Sequence, residues 1–133
     1  MATELTPIED IDRNILSLCG HINAATYELL VLIREFDERC GWLKWGMKNC
    51  AEWLAWRCDL SMATALEKVR VAHALKLLPA ISRDFKAGEL SYSKVRALTR
   101  VANRRNENDL LAFALRHTAA SVAERCRELR CGT

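Results

Sequence analysis

The apolar positions step by three and four almost from the start of the chain. Ile8, Ile11, Ile15, Leu18, Ile22, Ala25, Leu29, Leu32 and Phe36 recur at that spacing, which sets them on one stripe of an α-helix. Written as heptads, Ile8, Ile15, Ile22, Leu29 and Phe36 take position a, and Ile11, Leu18, Ala25 and Leu32 take position d. β-branched residues at a with leucine at d favour a two-stranded seam in parallel coiled coils. Leu30, Val31 and Ile33 widen the stripe. Thr6 is read as the cap, with Pro7 at the first helical position and Glu9 closing a capping box. The helix should run to about Arg39, where Gly41 stops it, a length of roughly 50 Å. Two roles stay open for it: bracing its own bundle, or pairing two subunits as a dimerisation arm. The e positions, Asp12, Cys19, Thr26 and Ile33, lack the charge pattern of a dedicated zipper.

Shorter helices with recognisable caps follow. Residues 41–48 read as a connector with two glycines. Helix two covers about Cys50 to Arg57, with Asn49 as cap and Glu52 three residues on. Cys58, Asp59 and Leu60 form a turn, Ser61 caps helix three, and Pro79 closes it after Leu78. Helix four runs from about Ala80 to Ala87 before Gly88, and helix five from Tyr92 to Asn103 behind a Ser91 cap. Helix six starts at Asn106 or Asn108 and ends near His117; helix seven starts at Thr118 or Ser121 and ends near Arg130. No period-two alternation or hairpin signal appears. The expected fold is all-α: a bundle of about seven helices, with a long N-terminal amphipathic helix over 1–40 and a helix-turn-helix within 41–133.

Helices two and three carry the helix-turn-helix pattern. Ala51, Leu54 and Ala55 allow close approach, and Leu60 plugs the corner. On helix three, Met62, Ala65, Leu66, Val69 and Ala72 fall on one predicted buried face, with His73 and Lys76 turned towards a neighbouring helix. The opposite arc carries Ala63, Thr64, Glu67, Lys68, Arg70 and Val71. In a DNA-binding helix-turn-helix, that arc enters the major groove, and the backbone N–H groups beside Ser61 suit a phosphate.

Charge sharpens this picture. The first forty residues hold three basic and eight acidic side chains, whereas residues 41–133 hold seventeen and nine. Between Lys68 and Arg105 stand ten Lys or Arg against Asp84 and Glu89 alone. Lys94, Arg96, Arg100, Arg104 and Arg105 follow one another without an intervening acid. Such a segment suits a polyanion, and phosphate contacts would give it affinity without sequence choice. A plain solvated surface is the bland alternative.

The other chemistry is sparse. The 133 residues include six Cys, three His and four Trp. Neither Cys19-x-His21 nor Cys126-x4-Cys131 has structural-zinc spacing, so the cysteines are expected to be reduced and to act as small buried apolar residues. No phosphate-binding glycine loop, nucleophile elbow or carboxylate pair is present, and no cofactor or small-molecule substrate is implied. Trp42, Trp45, Trp53 and Trp56 could stack on bases, but packing is the favoured reading. No run of about 18 uninterrupted apolar residues marks a membrane span, and the N-terminus lacks a secretory pattern. A cytoplasmic chain without membrane contact is therefore expected.

The order of these signals resembles a known region. Leu54-Ala55, Leu60-Ser61, Val69-Arg70-Val71-Ala72, Leu78-Pro79, Gly88-Glu89-Leu90-Ser91 and Val95-Arg96-Ala97-Leu98 look like the helix-turn-helix region of ParB/KorB-type DNA-binding proteins. From about Ile8 to Leu129 the chain is more similar still to an uncharacterised bacterial domain family found N-terminal to HNH nuclease domains, the 13E12 repeat family. The runs Ala51-Glu52-Trp53-Leu54-Ala55, Arg70-Val71-Ala72-x-Ala74-Leu75 and Gly88-x-Leu90-Ser91 carry that likeness. An HNH centre needs histidines grouped on a ββα unit, yet His21, His73 and His117 are far apart. The resemblance thus implies a non-enzymatic targeting module whose longer parent could be an endonuclease. Double-stranded DNA is the expected partner, and a homodimer through the N-terminal helix is a further expectation. Ser61, Thr64, Glu67, Lys68, Arg70, Lys94, Arg96, Arg100, Arg104 and Arg105 are the expected contact residues. The alternative is a protein–protein adaptor with no nucleic-acid role.

Overall fold

A computed structural model describes residues 5–132. Among the described residues are seven α-helices: α1 (Ile8–Glu38), α2 (Cys50–Arg57), α3 (Met62–Leu75), α4 (Pro79–Lys86), α5 (Tyr92–Leu98), α6 (Glu107–Arg116) and α7 (Ala119–Cys131), with a 3-10 turn at Gly41–Trp45 between α1 and α2. There is no strand among the described residues. The fold class is the one the hydrophobic periodicity predicts.

Local capping explains most boundaries. The side chains of Asn49, Ser61, Ser91 and Thr118 each accept a hydrogen bond from the backbone N–H three residues on, satisfying one otherwise orphaned donor. The start of α1 differs from expectation: Pro7 occupies the cap position and no side chain caps it. Its end also differs, because Cys40, not Gly41, adopts the left-handed backbone, with φ 52°. Helix α3 stops at Leu75, earlier than Leu78, and α5 stops at Leu98, well before Asn103. In the second case Asn103 and Asn106 lace the following segment, their side chains bonding the backbone of Arg105, Asn106, Asn103 and Val101. That local bonding offers the chain an alternative to helix.

One contiguous core runs from Leu30 and Ile33 of α1 through Leu54, Val71, Ile81, Phe85, Leu90, Val95 and Leu98 to Ala114, Val122 and Cys126. The second half of α1 therefore shares its core with residues beyond 41. Three polar ties fix α1 on α3: Arg34 donates to the Ala72 carbonyl at 3.0 Å, His73 Nε2 lies 2.6 Å from Asp37 Oδ2, and Lys76 Nζ donates to Glu38 Oε2 at 2.6 Å. At the α4–α5 corner Gly88 has φ 83°, and a Cβ there would come within 2.6 Å of the Gly20 carbonyl oxygen. Only glycine accommodates both the backbone and the contact.

Helix α1 has two contact faces, a mixed polar and apolar one towards the bundle and an apolar one away from it. Asn23, Tyr27, Leu30, Arg34 and Asp37 look inward, while Ile8, Ile11, Ile15, Leu18, Ile22, Leu29 and Leu32 are exposed on the other side. By length and composition α1 is the one helix among the described residues that could cross a membrane. Its later half is committed to the bundle, and the free part before Gly20 is about 18 Å long, short of a ~30 Å hydrocarbon core.

Candidate nucleic-acid interface

Helix α3 is the central positioning element. Its exposure follows both rotation about the axis and distance along it: Ala65 and Ala72 are buried on the predicted face. Met62, Ala63, Thr64 and Leu66 are exposed near its start, whereas Val71, Ala72 and Leu75 are buried near its end. Two sequence expectations are corrected: Met62 and Leu66 are not on a buried face, and Val71 is not on an exposed arc. Both rested on uniform surroundings along the helix, but α1, α2, α4 and α5 all pack on α3. Ser61, at the exposed end, is held as cap by Thr64 N–H at 3.2 Å.

The cationic residues of α3 and α5 meet around one carboxylate. Glu67 accepts hydrogen bonds from Arg70, from Arg96 Nε at 2.7 Å and from Arg100, and its side chain is 11% exposed. Burial acts to raise the Glu67 pKa, but the hydrogen bonds from Arg70, Arg96 and Arg100 outweigh it and hold the carboxyl at about 2. Arg70 also donates to the Arg96 carbonyl at 3.1 Å. Three arginines, from α3, α5 and the turn after α5, are thereby fixed in one orientation. Glu67 itself, expected to contact DNA, is instead enclosed by these partners and acts by positioning them.

The remaining expected contacts divide. Lys68 is partly buried with Nζ 4.0 Å from the Tyr92 ring centroid, and desolvation lowers its pKa. Lys94 leaves the cluster altogether. Its ammonium donates to the Ala114 carbonyl at 2.7 Å, satisfying the last turn of α6, so it does not share a surface with Arg96 and Arg100. Two residues on, a helix has turned by about 200°, which puts Lys94 opposite Arg96. Arg104 and Arg105 are exposed in the segment between α5 and α6.

Sequence reasoning placed helix seven but missed its part in the site. A groove of about 580 Å³ lies between α5 and α7, lined by Arg96, Arg100, Arg127 and Arg130 with the small residues Ser93, Ala97, Ala119, Ala120 and Ala123. No carboxylate lines it. Ala123, Arg127 and Arg130 fall at i, i+4 and i+7, a spacing that sets them on one helix face and was available in the sequence. A smaller hollow of about 130 Å³, lined by Ala63, Thr64, Glu67, Tyr92 and Arg96, adjoins it through Arg96. Fixed guanidinium groups over small side chains can receive phosphate oxygens through paired N–H donors.

The thiols separate as well. Cys50 and Cys126 are buried, but Cys19, Cys40, Cys58 and Cys131 are exposed, which corrects the expectation that all six fill the interior. Among the described residues no group of three or more His, Cys, Asp or Glu converges as a metal site would require. The tryptophans are divided between packing and surface. Trp53 packs tilted against Phe36 with centroids 4.2 Å apart, while Trp56 is exposed beneath the Arg57 guanidinium.

The molecule is thus an all-helical domain with an acidic long helix on one side and an arginine-lined groove formed by other helices. Residues 21–131 match the family described as a domain of unknown function, DUF222, and the chain belongs to that family. No curated protein and no solved structure matches the chain.

Proposed function

We propose that this chain is a DNA-binding, targeting module, the N-terminal part of an HNH-endonuclease-type protein whose catalytic domain is not in this chain. The observation that carries the reading is the groove between α5 and α7, in which Arg96, Arg100, Arg127 and Arg130 face one space without a carboxylate in its lining. The exposed start of α3 adjoins it, as a helix-turn-helix recognition helix beside a phosphate grip would. The nuclease connection rests on the likeness to the 13E12 repeat family. Helices α2 and α3 act as the helix-turn-helix, with Thr64 and the Ser61 cap towards the duplex. The chain contributes binding rather than catalysis, and its partner is double-stranded DNA.

An electrophoretic shift series against random and defined duplexes at several salt concentrations tests this. Four phosphate contacts give a slope of log K against log salt of about −3 to −4. Arg127→Glu with Arg130→Glu should flatten that slope by about 2 and weaken binding at least about tenfold. Absence of duplex binding at low salt, or an unchanged slope in the double variant, refutes the reading. A second reading, a protein–protein adaptor, draws support from the exposed stripe of α1; strong self-association with salt-insensitive DNA binding would favour it.

A further inference from the structure

We infer that two copies of this chain pair through an antiparallel α1–α1 seam, with the start of each α1 seated in the tryptophan-lined groove of its partner. This inference rests on surfaces outside the arginine groove and is independent of the nucleic-acid reading.

The heptad stripe gives the first argument. Ile8, Ile11, Ile15, Leu18, Ile22, Leu29 and Leu32 are 41–74% exposed. A helix packed once needs one apolar stripe; α1 has a second, at the 3.5-residue repeat that another helix matches. Seven Ile and Leu side chains and their flanks along a helix about 46 Å long present on the order of 800 Å², the share each partner gives to a standard-size interface.

The groove gives the second. At the end of the stripe a cavity of about 580 Å³ is lined by Leu29, Leu32, Phe36, Cys40, Trp45 and Trp53 among others. It is mostly apolar, and the stripe residues Leu29 and Leu32 form part of its wall. In an antiparallel register each a meets a d: Ile11 faces Phe36, Ile15 faces Leu32, Leu18 faces Leu29 and Ile22 faces Ala25. Ile8 and Leu5, both largely exposed, then lie over the partner's groove.

Charge selects the direction. Glu9, Asp10 and Asp12 stand at the start of α1, Asp10 paired with Arg13; the groove at the other end is lined by Arg39 and Lys44 against one acid, Glu35, with the Arg57 guanidinium over Trp45 beside them. Antiparallel pairing brings the acids to these cations and opposes the helix dipoles. Parallel pairing would set the three acids of one copy beside those of the other, at a cost.

Sedimentation equilibrium of the 133-residue chain is the direct test. The expected species is a dimer, and Leu18→Glu should raise its dissociation constant by at least about 100-fold while circular dichroism and the urea midpoint stay unchanged, since Leu18 is 61% exposed and outside the core. Direction is read by disulfide trapping in a background with Cys19, Cys40, Cys58 and Cys131 replaced by Ser. Mixed Ile15→Cys and Leu32→Cys chains should cross-link, and Ile15→Cys alone should not. A folded monomer at 100-micromolar-range concentration, whether or not it binds vesicles or another protein, overturns the inference. So does a self-cross-link of Ile15→Cys, or a cross-link from 15 to 25 in preference to 32.

Discussion

Glu67→Gln isolates the electrostatic hinge of the basic face. The substitution keeps size and one acceptor oxygen but removes the charge that Arg70, Arg96 and Arg100 share. The fall of the Glu67 pKa from 4.5 to about 2 corresponds to at most about 3 kcal/mol. The three guanidinium side chains are 32–55% exposed, so solvent screening reduces the realised value to about 2 kcal/mol. The pKa is depressed on folding. Its contribution is therefore complete above the unfolded value, declines as pH falls through 4.5, and is gone below about 2. Urea unfolding of both proteins at pH 7 and pH 3 measures this. The wild type should be more stable by about 2 kcal/mol at pH 7, and less than half of that gap should remain at pH 3. A gap that is the same at both pH values, or absent at pH 7, refutes the account of Glu67 as a buried anchor of charge.

Two further substitutions test the scaffold. Gly88→Ala should cost about 2–4 kcal/mol, because it adds left-handed strain to a clash with the Gly20 backbone; Gly46→Ala, with φ 73° but nothing within 4 Å, should cost only about 1 kcal/mol, and a urea midpoint comparison separates the two. Glu107→Leu should cost about 1–3 kcal/mol and accelerate hydrogen exchange at the Ile81 amide, which donates to Glu107 Oε2 at 2.9 Å; Glu107→Gln, retaining an acceptor, should protect that amide nearly as well as the wild type.

What could be read from the sequence was mainly local. Asn49, Ser61, Ser91 and Thr118 cap their helices because capping joins residues two or three apart, and such caps, with Gly and Pro stops and the apolar periodicity of the longer helices, located the elements. Contacts across the chain were not legible. The N-terminus of α4 has no side-chain cap of its own; the buried Glu107, 26 residues later, supplies one. Lys94 and Arg96 are neighbours in a run of cations, yet one closes α6 and the other faces the groove. Arg127 and Arg130 had the right spacing, but their meeting with Arg96 and Arg100 depends on how α7 packs on α5. The long helix shows the same limit. Its 3.5-residue stripe was visible, whereas the inward set at Asn23, Tyr27, Leu30 and Arg34 was obscured by two polar members. A stripe of apolar residues specifies a contact, not whether the contact lies within the chain.

The division of charge along the chain acquires a spatial meaning from the packing. Helix α1 packs on α2, α3 and α4, while α7 packs on α5 and α6, so the acidic first segment and the arginine groove are built on different elements. Part of the acid on α1 is internal currency: Asp37 and Glu38 engage His73 and Lys76 of α3. The rest, at Glu9, Asp10, Asp12, Glu28 and Glu35, disfavours any polyanion along the exposed stripe. A field of this kind steers a polyanion towards Arg96, Arg100, Arg127 and Arg130 and away from α1. The apolar stripe is thereby left to a partner that tolerates or complements carboxylates, and the Arg39 and Lys44 end of a second α1 does so. Two surfaces separated in this way can be disabled one at a time. Charge reversal on α7 leaves the seam intact, and Leu18→Glu leaves every groove arginine in place.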